Sequence, residues 1–317
     1  MNRIFRYVVL PLLVAFSITP AVKAENSLLK FFTNTTSSEP EPETAAAQKV
    51  AFQPQPAVDD NIAQDITDAN AIIFSAPPRE TPEVGRERYG PVAEYLSKVL
   101  GKKVVYKHPG TWGVYRTEML KGNYDIVFDG PHFNSYRMEN LDHNILAKME
   151  IKHQFVVIMR KDDKRFSKLS ELAGRTFCTH APPNLGTLTL LSQFENPARQ
   201  PVIRNTKGWK KIYDGVVAGK CVAGILPVAN LNKFDPSRAN SRTIYTHRAL
   251  PNQAFSAGPR LTREEQITIS RALVAPEAKE PTAKLRAAYR VGISFITASN
   301  EEYLGVSEYL KNEWGYY

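Results

Sequence analysis

Asp129 and His132 stand three residues apart around a Gly130-Pro131 pair. A carboxylate and an imidazole at that spacing could act as a general acid and base, or could meet a polar solute. Ile126-Val127-Phe128, just before them, is a short apolar run with β-branched and aromatic members, which predicts a buried strand halted by the Gly-Pro pair. Asp129 then occupies the carboxyl end of a strand, the edge where open α/β sheets bind ligands, with Phe133 and Tyr136 as aromatic neighbours. The bland alternative is a capped turn.

A second stretch with chemical promise is Asn184-Leu185-Gly186-Thr187, a Gly-containing loop that opens a helix. Backbone amides and the helix dipole make such a turn an anion cradle, and simple helix capping is the alternative. Trp112 and Trp209 each begin a predicted helix, where an indole can stack on a ligand or pack a cleft wall. His180, like His132, follows a strand end. The two could share a metal, but no third and fourth ligand at a recognisable spacing joins them, so neither metal nor cofactor is expected. Gly-x-Ser-x-Gly, Walker and His-Glu-x-x-His patterns are missing, as is a closely spaced redox Cys pair. Asp129 with His132 or His180 has no evident nucleophile beside it, so the pattern favours binding over catalysis.

The elements that must position these residues alternate. A strand at 71–76 is followed by a helix at 84–100 that Gly101 stops, a strand at 104–106, a helix at 112–120 and the strand of Asp125 to Phe128. The pattern then repeats, with strands at 155–159, 176–179, 202–203 and 221–226 and helices at 187–194 and 209–218. Such alternation predicts parallel sheets with right-handed crossovers and helices on both faces. A strand at 254–257 and helices at 263–273, 282–289 and 301–314 complete the chain.

Residues 1–24 read as a cleaved secretory signal: Arg3 and Arg6, an apolar stretch from Tyr7 to Ile18, and Ala21-Val22-Lys23-Ala24 before the cut. No Cys lies near that cut, so a lipid anchor is not expected. Residues 25–70 are rich in Pro, Glu, Ala and Gln with little apolar patterning, the composition of a disordered acidic tether. The tether carries a formal charge of −6, and the body from Ala71 onward carries +12. Without a basic helix or a basic-aromatic stripe, that excess points to a small anion or an acidic partner face rather than nucleic acid. Cys178 and Cys221 are the two cysteines; export makes them a disulfide candidate, with two free thiols as the alternative. If the repeated half is doubly wound, its first and third strands are neighbours and the two cysteines come within bonding range.

In several places the sequence resembles the periplasmic solute-binding proteins of the phosphate, phosphite and phosphonate ABC-transporter family. The matching features are Ser75-Ala76-Pro77-Pro78, Tyr89-Gly90-Pro91, Gly122-x-Tyr124-Asp125-Ile126 leading to Gly130-Pro131, the crossover Phe155-Val156-Val157-Ile158, the run from Leu169 to Thr176, and the loop-to-helix segment at 182–188. The resemblance implies a bilobal type 2 periplasmic-binding-protein fold, two doubly wound and mostly parallel sheets joined by two crossover strands. It implies one lobe of residues 71–152 and 250–317, another of 153–249, and a small ligand held between them. It further implies Pro78, Tyr89, Trp112, Asp129, His132, His180, Asn184, Gly186, Thr187 and Trp209 as ligand contacts in a monomer that docks on ABC-transporter membrane subunits or a membrane sensor. This chain departs from the family's hydroxyl-rich Ser-Thr-Ser-Gly run, which is Asn184-Leu185-Gly186-Thr187 here. It also sets Asp129 where an aromatic residue is usual and Trp209 where a His is usual. The anion cradle makes a phosphate- or phosphonate-like oxyanion the expected solute; a carboxylate facing it would repel it, so Asp129 motivates two alternatives, a ligand with an amine or another hydrogen-bond donor, and a periplasmic interaction or sensor partner with a diverged pocket.

Overall fold

The structure is a computed structural model that describes residues 70–289 and 292–313. The expected signal and nearly all of the expected tether lie outside the described residues, as does the end of the predicted 301–314 helix.

Strand β1 (Ile72–Ser75) is apolar and almost wholly buried. Helix α1 (Pro82–Leu100) follows it, with the Thr81 side chain accepting from the Val84 amide, Pro82 in its first turn, and Gly101 ending it at φ 62°. Next come β2 (Val104–Tyr106), α2 (Trp112–Leu120) and β3 (Ile126–Asp129). Gly130-Pro131 does not end regular structure. Gly130 caps helix α3 (Pro131–Asn140), and Pro131 occupies the first position, where its fixed φ suits a helix and its missing N–H costs nothing. Strand β4 (Asn144–Met149) then leads out of this first lobe.

The second lobe comprises β5 (Phe155–Arg160), β6 (Thr176–Thr179), α4 (Leu185–Leu191), β7 (Val202–Asn205), α5 (Trp209–Val217), β8 (Ala223–Pro227), α6 (Val228–Phe234) and β9 (Ser241–Thr246). The chain returns to the first lobe for β10 (Ala254–Ala257), α7 (Arg263–Val274), α8 (Ala283–Tyr289) and β11 (Phe295–Thr297). The expected helix at 301–314 is replaced by two 3-10 turns, Asn300–Tyr303 and Val306–Leu310, because Gly305 between them takes the left-handed conformation at φ 71°.

Each lobe holds one sheet, ordered β11-β4-β10-β3-β1-β2 and β7-β6-β8-β5-β9. The sheets are mixed rather than mostly parallel. β1 pairs in parallel with β2 and β3, and β6 with β7 and β8, whereas β10 runs antiparallel to β3 and β4, and β5 antiparallel to β8 and β9. The cause is the route of the chain. A strand that enters a lobe from the crossovers runs away from the cleft, whereas the strands whose ends carry site residues run toward it.

The two crossovers are stapled to each other by paired bonds between His153 and Leu250, each 2.8 Å. A further link between lobes comes from the last turns. Glu139 of α3 accepts from the Gly305 amide at 3.0 Å and from the Ser307 hydroxyl, while Tyr309 donates to His247 Nε2 at 2.8 Å and Leu310 packs with Tyr115 and Leu188. In the second lobe Cys178 and Cys221 form a disulfide with Cα atoms 5.6 Å apart. β6 and β8 are indeed neighbours, and Gly215 of α5 makes the room: a Cβ there would fall 2.9 Å from Cys178 Sγ.

Candidate ligand-binding site

Asp129, at the end of β3, is fully buried and heavily bonded. Arg137 of α3 reaches its Oδ2 with both terminal nitrogens at 3.1 Å, and Tyr115 of α2 donates to the same oxygen. Its Oδ1 accepts from Arg79 Nη2 at 2.9 Å and from the Gly130 amide at 2.6 Å. Two guanidiniums around one carboxylate leave a net positive charge. The repulsion expected between Asp129 and an oxyanion is thereby removed, because the carboxylate is consumed by the protein before any solute arrives.

Arg79 carries the surplus charge. It follows the half-buried Pro78, its side chain is about one-third exposed, and its Nη1 lies 3.4 Å from the Tyr289 hydroxyl. Tyr89 is buried. Its ring packs in the first-lobe core against Phe74 and Tyr106, and its hydroxyl has no hydrogen-bond partner among the described residues. Burial raises the Tyr89 pKa, followed in weight by the neighbouring Tyr289 and Glu80, so the group stays a neutral phenol.

His132, in the first turn of α3, is also buried and meets the second lobe. Its Nε2 lies 3.0 Å from the Pro183 carbonyl oxygen, and its Nδ1 has no partner among the described residues. Burial pulls its pKa to about 4 against the opposing pull of Asp129, so the ring is neutral at pH 7. His153, in the first crossover, is likewise held to about 4, first by burial and then by His132 and Arg79. Trp112 stacks on Phe133, whose ring centroid is 4.2 Å from that of His132.

The second-lobe wall is uncharged. Trp209 packs against Phe155, and His180 meets the Trp209 ring at 4.5 Å. Burial lowers the His180 pKa. Asn184 caps α4 by accepting from the Gly186 amide at 3.0 Å, and the Thr187 hydroxyl is turned inward, donating to the His180 carbonyl at 2.6 Å and lying 2.8 Å from the Thr179 hydroxyl. Gly186 lies flat against the Phe155 ring, where a Cβ would come within 2.8 Å. The groups expected to form an anion cradle therefore spend their side chains on the loop itself.

Asp129, His132 and Trp112 thus gather with Arg79 on the first-lobe side, and His180, Asn184, Gly186, Thr187 and Trp209 on the second-lobe side, whereas Tyr89, expected as a ligand contact, lies in the first-lobe core. Arg79, Arg137, Tyr115, His153 and Tyr289 carry no local signal that marks them as site residues. Arg79 directly follows the Pro77-Pro78 pair, which reads simply as the entry to the first helix, and Arg137 lies on the helix that a Gly130-Pro131 stop would forbid. Among the described residues, no group of three or more His, Cys, Asp or Glu could hold a metal.

The fold recurs in solved structures. XAC2383 from Xanthomonas citri, bound to ATP, aligns with a TM-score of 0.62 at 10% identity over 77% of this chain and 98% of that one. PhnD1 from Prochlorococcus marinus in complex with methylphosphonate aligns at 0.53 and 16% identity over 76% and 97%. The binding component of a phosphonate ABC transporter from Pseudomonas aeruginosa aligns at 0.52 and 14% over 75% and 85%. At these identities the likeness is one of fold. No curated protein sequence matches the chain. The family model described as "ABC transporter, phosphonate, periplasmic substrate-binding protein" matches residues 74–303, most of the body, and the chain belongs to that family.

Proposed function

We propose that the exported protein captures a phosphonate-like oxyanion between its lobes, 71–152 with 250–317 and 153–249, and delivers it to the membrane subunits of an ABC transporter. The observation that carries this reading is the surplus cation beside Asp129: Arg79 is paired, yet partly exposed and uncompensated once Arg137 is counted. The Trp112 and Trp209 faces complete the solute's surroundings. Because Asp129 is already neutralised, the motive for an amine-bearing ligand facing it disappears. The role is binding rather than catalysis, without a cofactor, by a monomer in the periplasm. Cleavage after Ala24 is checked by N-terminal sequencing of the exported chain.

Titration calorimetry against methylphosphonate, phosphite and phosphate tests the proposal. Heat of binding is expected for at least one of them, and a flat response to all three sinks it. Arg79→Ala should weaken the best of these about 30-fold or more, the loss of one charge-assisted pair, and should lower the urea midpoint less than Arg137→Ala does, since Arg137 and Tyr115 still hold Asp129.

A further inference from the structure

His132 stores information about the proton on the solute. A backbone carbonyl only accepts, so the 3.0 Å contact with Pro183 places the ring proton on Nε2. A neutral imidazole with its proton there offers a bare lone pair at Nδ1, and that atom is buried without a partner among the described residues. A buried acceptor left unsatisfied is costly, so the position calls for a donor.

The location of that need is fixed by Gly130. A Cβ built on Gly130 would lie 3.1 Å from His132 Nδ1 and 3.6 Å from Arg79 Nη2. The niche beside Gly130 is crowded rather than open, with a cation on one side and a lone pair on the other, so a solute group reaches it only when the lobes part. A fully ionised phosphonate or a sulfonate would satisfy the guanidinium but set oxygen lone pairs against Nδ1. We infer that the solute is taken up as a hydrogenphosphonate-type monoanion, its P–OH donating to His132 Nδ1 and its bare oxygens facing Arg79. This rests on the oxyanion reading above and goes further, since it selects a protonation state.

The groups around the niche do not obscure the effect. Arg79 and Arg137 keep their charge at any ordinary pH, and Asp129 is paired with both. Tyr89, Tyr115 and Tyr289 are raised by burial, and His132 and His153 titrate near 4. His180 on the facing wall is also lowered by burial, so between about pH 7 and about pH 9 a change in affinity reports the ligand's own proton.

Calorimetry across that range decides the matter with methylphosphonate, whose second ionisation falls within it, and with methanesulfonate, which has the same shape and no proton to give. Methylphosphonate affinity is expected to fall about tenfold per pH unit above its second ionisation, with methanesulfonate at least tenfold weaker at low pH and flat throughout. His132→Phe should flatten the methylphosphonate profile, and the wild-type profile alone suffices if that variant does not fold. A flat wild-type profile, or equal binding of methanesulfonate, overturns the inference while leaving the oxyanion site standing. So does a 2-aminoethylphosphonate profile that stays flat beside a flat methylphosphonate one, because the donor is then an ammonium. Failure of every oxyanion to bind overturns both readings.

Discussion

The two lobes end their central strands in opposite ways. In the first, β3 delivers Asp129 into a buried set of Arg137, Tyr115 and Arg79, where charge is concentrated and only part of one guanidinium reaches solvent. In the second, β6 ends at Thr179 beside Thr187, Asn184 and His180, which satisfy one another without a charge. That lobe carries the Cys178–Cys221 bond, which ties β6 to the turn before β8. One face is therefore charged, and the other is neutral and hydrogen-bonded within itself. In this chain the charged groups of the candidate site belong to the first lobe, and the residues standing where the family has its hydroxyl-rich run are uncharged.

The largest break in this contrast is Arg137→Ala. It leaves the buried Asp129 with the partly exposed Arg79 as its one cationic partner, and the expected loss is about 3–5 kcal/mol of unfolding free energy by urea denaturation. A loss below about 1 kcal/mol would mean that Arg79 and Tyr115 alone hold the carboxylate. Replacing both Cys178 and Cys221 with Ser should cost about 2–4 kcal/mol, read the same way, since a long loop is released in the unfolded state. Methylphosphonate affinity in the folded fraction should hardly change, because the disulfide packs against α5 rather than the niche.

Acid sharpens the comparison further. His132 and His153 are held neutral to about 4 and His143, beneath Gly258, to about 3, all chiefly by burial. The unfolded chain takes up these protons near 6.5, so it binds more protons than the folded one below that pH. Stability is then complete above about 6.5 and falls as pH drops toward 4, by up to about 1.4 kcal/mol per pH unit for each histidine. Urea midpoints at pH 7 and pH 4.5 check this, and His132→Phe should make the slope shallower, with His143, His153, His180 and His247 supplying the rest. The smallest effect is expected for Tyr309→Phe, about 1 kcal/mol, from loss of the bond to His247. An unchanged midpoint would show that the ring packing, not the hydroxyl, joins the last turn to the second lobe.

Much of this arrangement is legible in the order of the residues. The Ile-Val-Phe run predicts β3 and puts Asp129 at a strand end, and the repeated alternation sets β6 beside β8 and so joins Cys178 to Cys221. What escapes is nonlocal or ambiguous. Gly-Pro after a strand reads equally as a stop or as a cap with proline in the first helical position, and Arg137 is lost with the first choice. Arg79 lies 50 residues from Asp129, and only the pairing of β1 with β3 makes them neighbours. The antiparallel returns of β10 and β5 depend on the chain crossing between lobes, which no local pattern encodes. The inward turn of Thr187 is likewise invisible, because a hydroxyl at a helix start looks the same whether it awaits a ligand or its own loop.

The two 3-10 turns at the end of the chain have a mechanical consequence. Two crossovers stapled together by His153 and Leu250 behave as one attachment, and bodies joined at one point can swivel in any direction. The segment from Tyr303 to Leu310, held by Asn252 and Glu139 on one side and by His247 and Leu188 on the other, is a second attachment. Two attachments define an axis. Movement of one lobe against the other that keeps both attachments would be a rotation about that axis, and the His132–Pro183 contact spans the side that such a rotation would open.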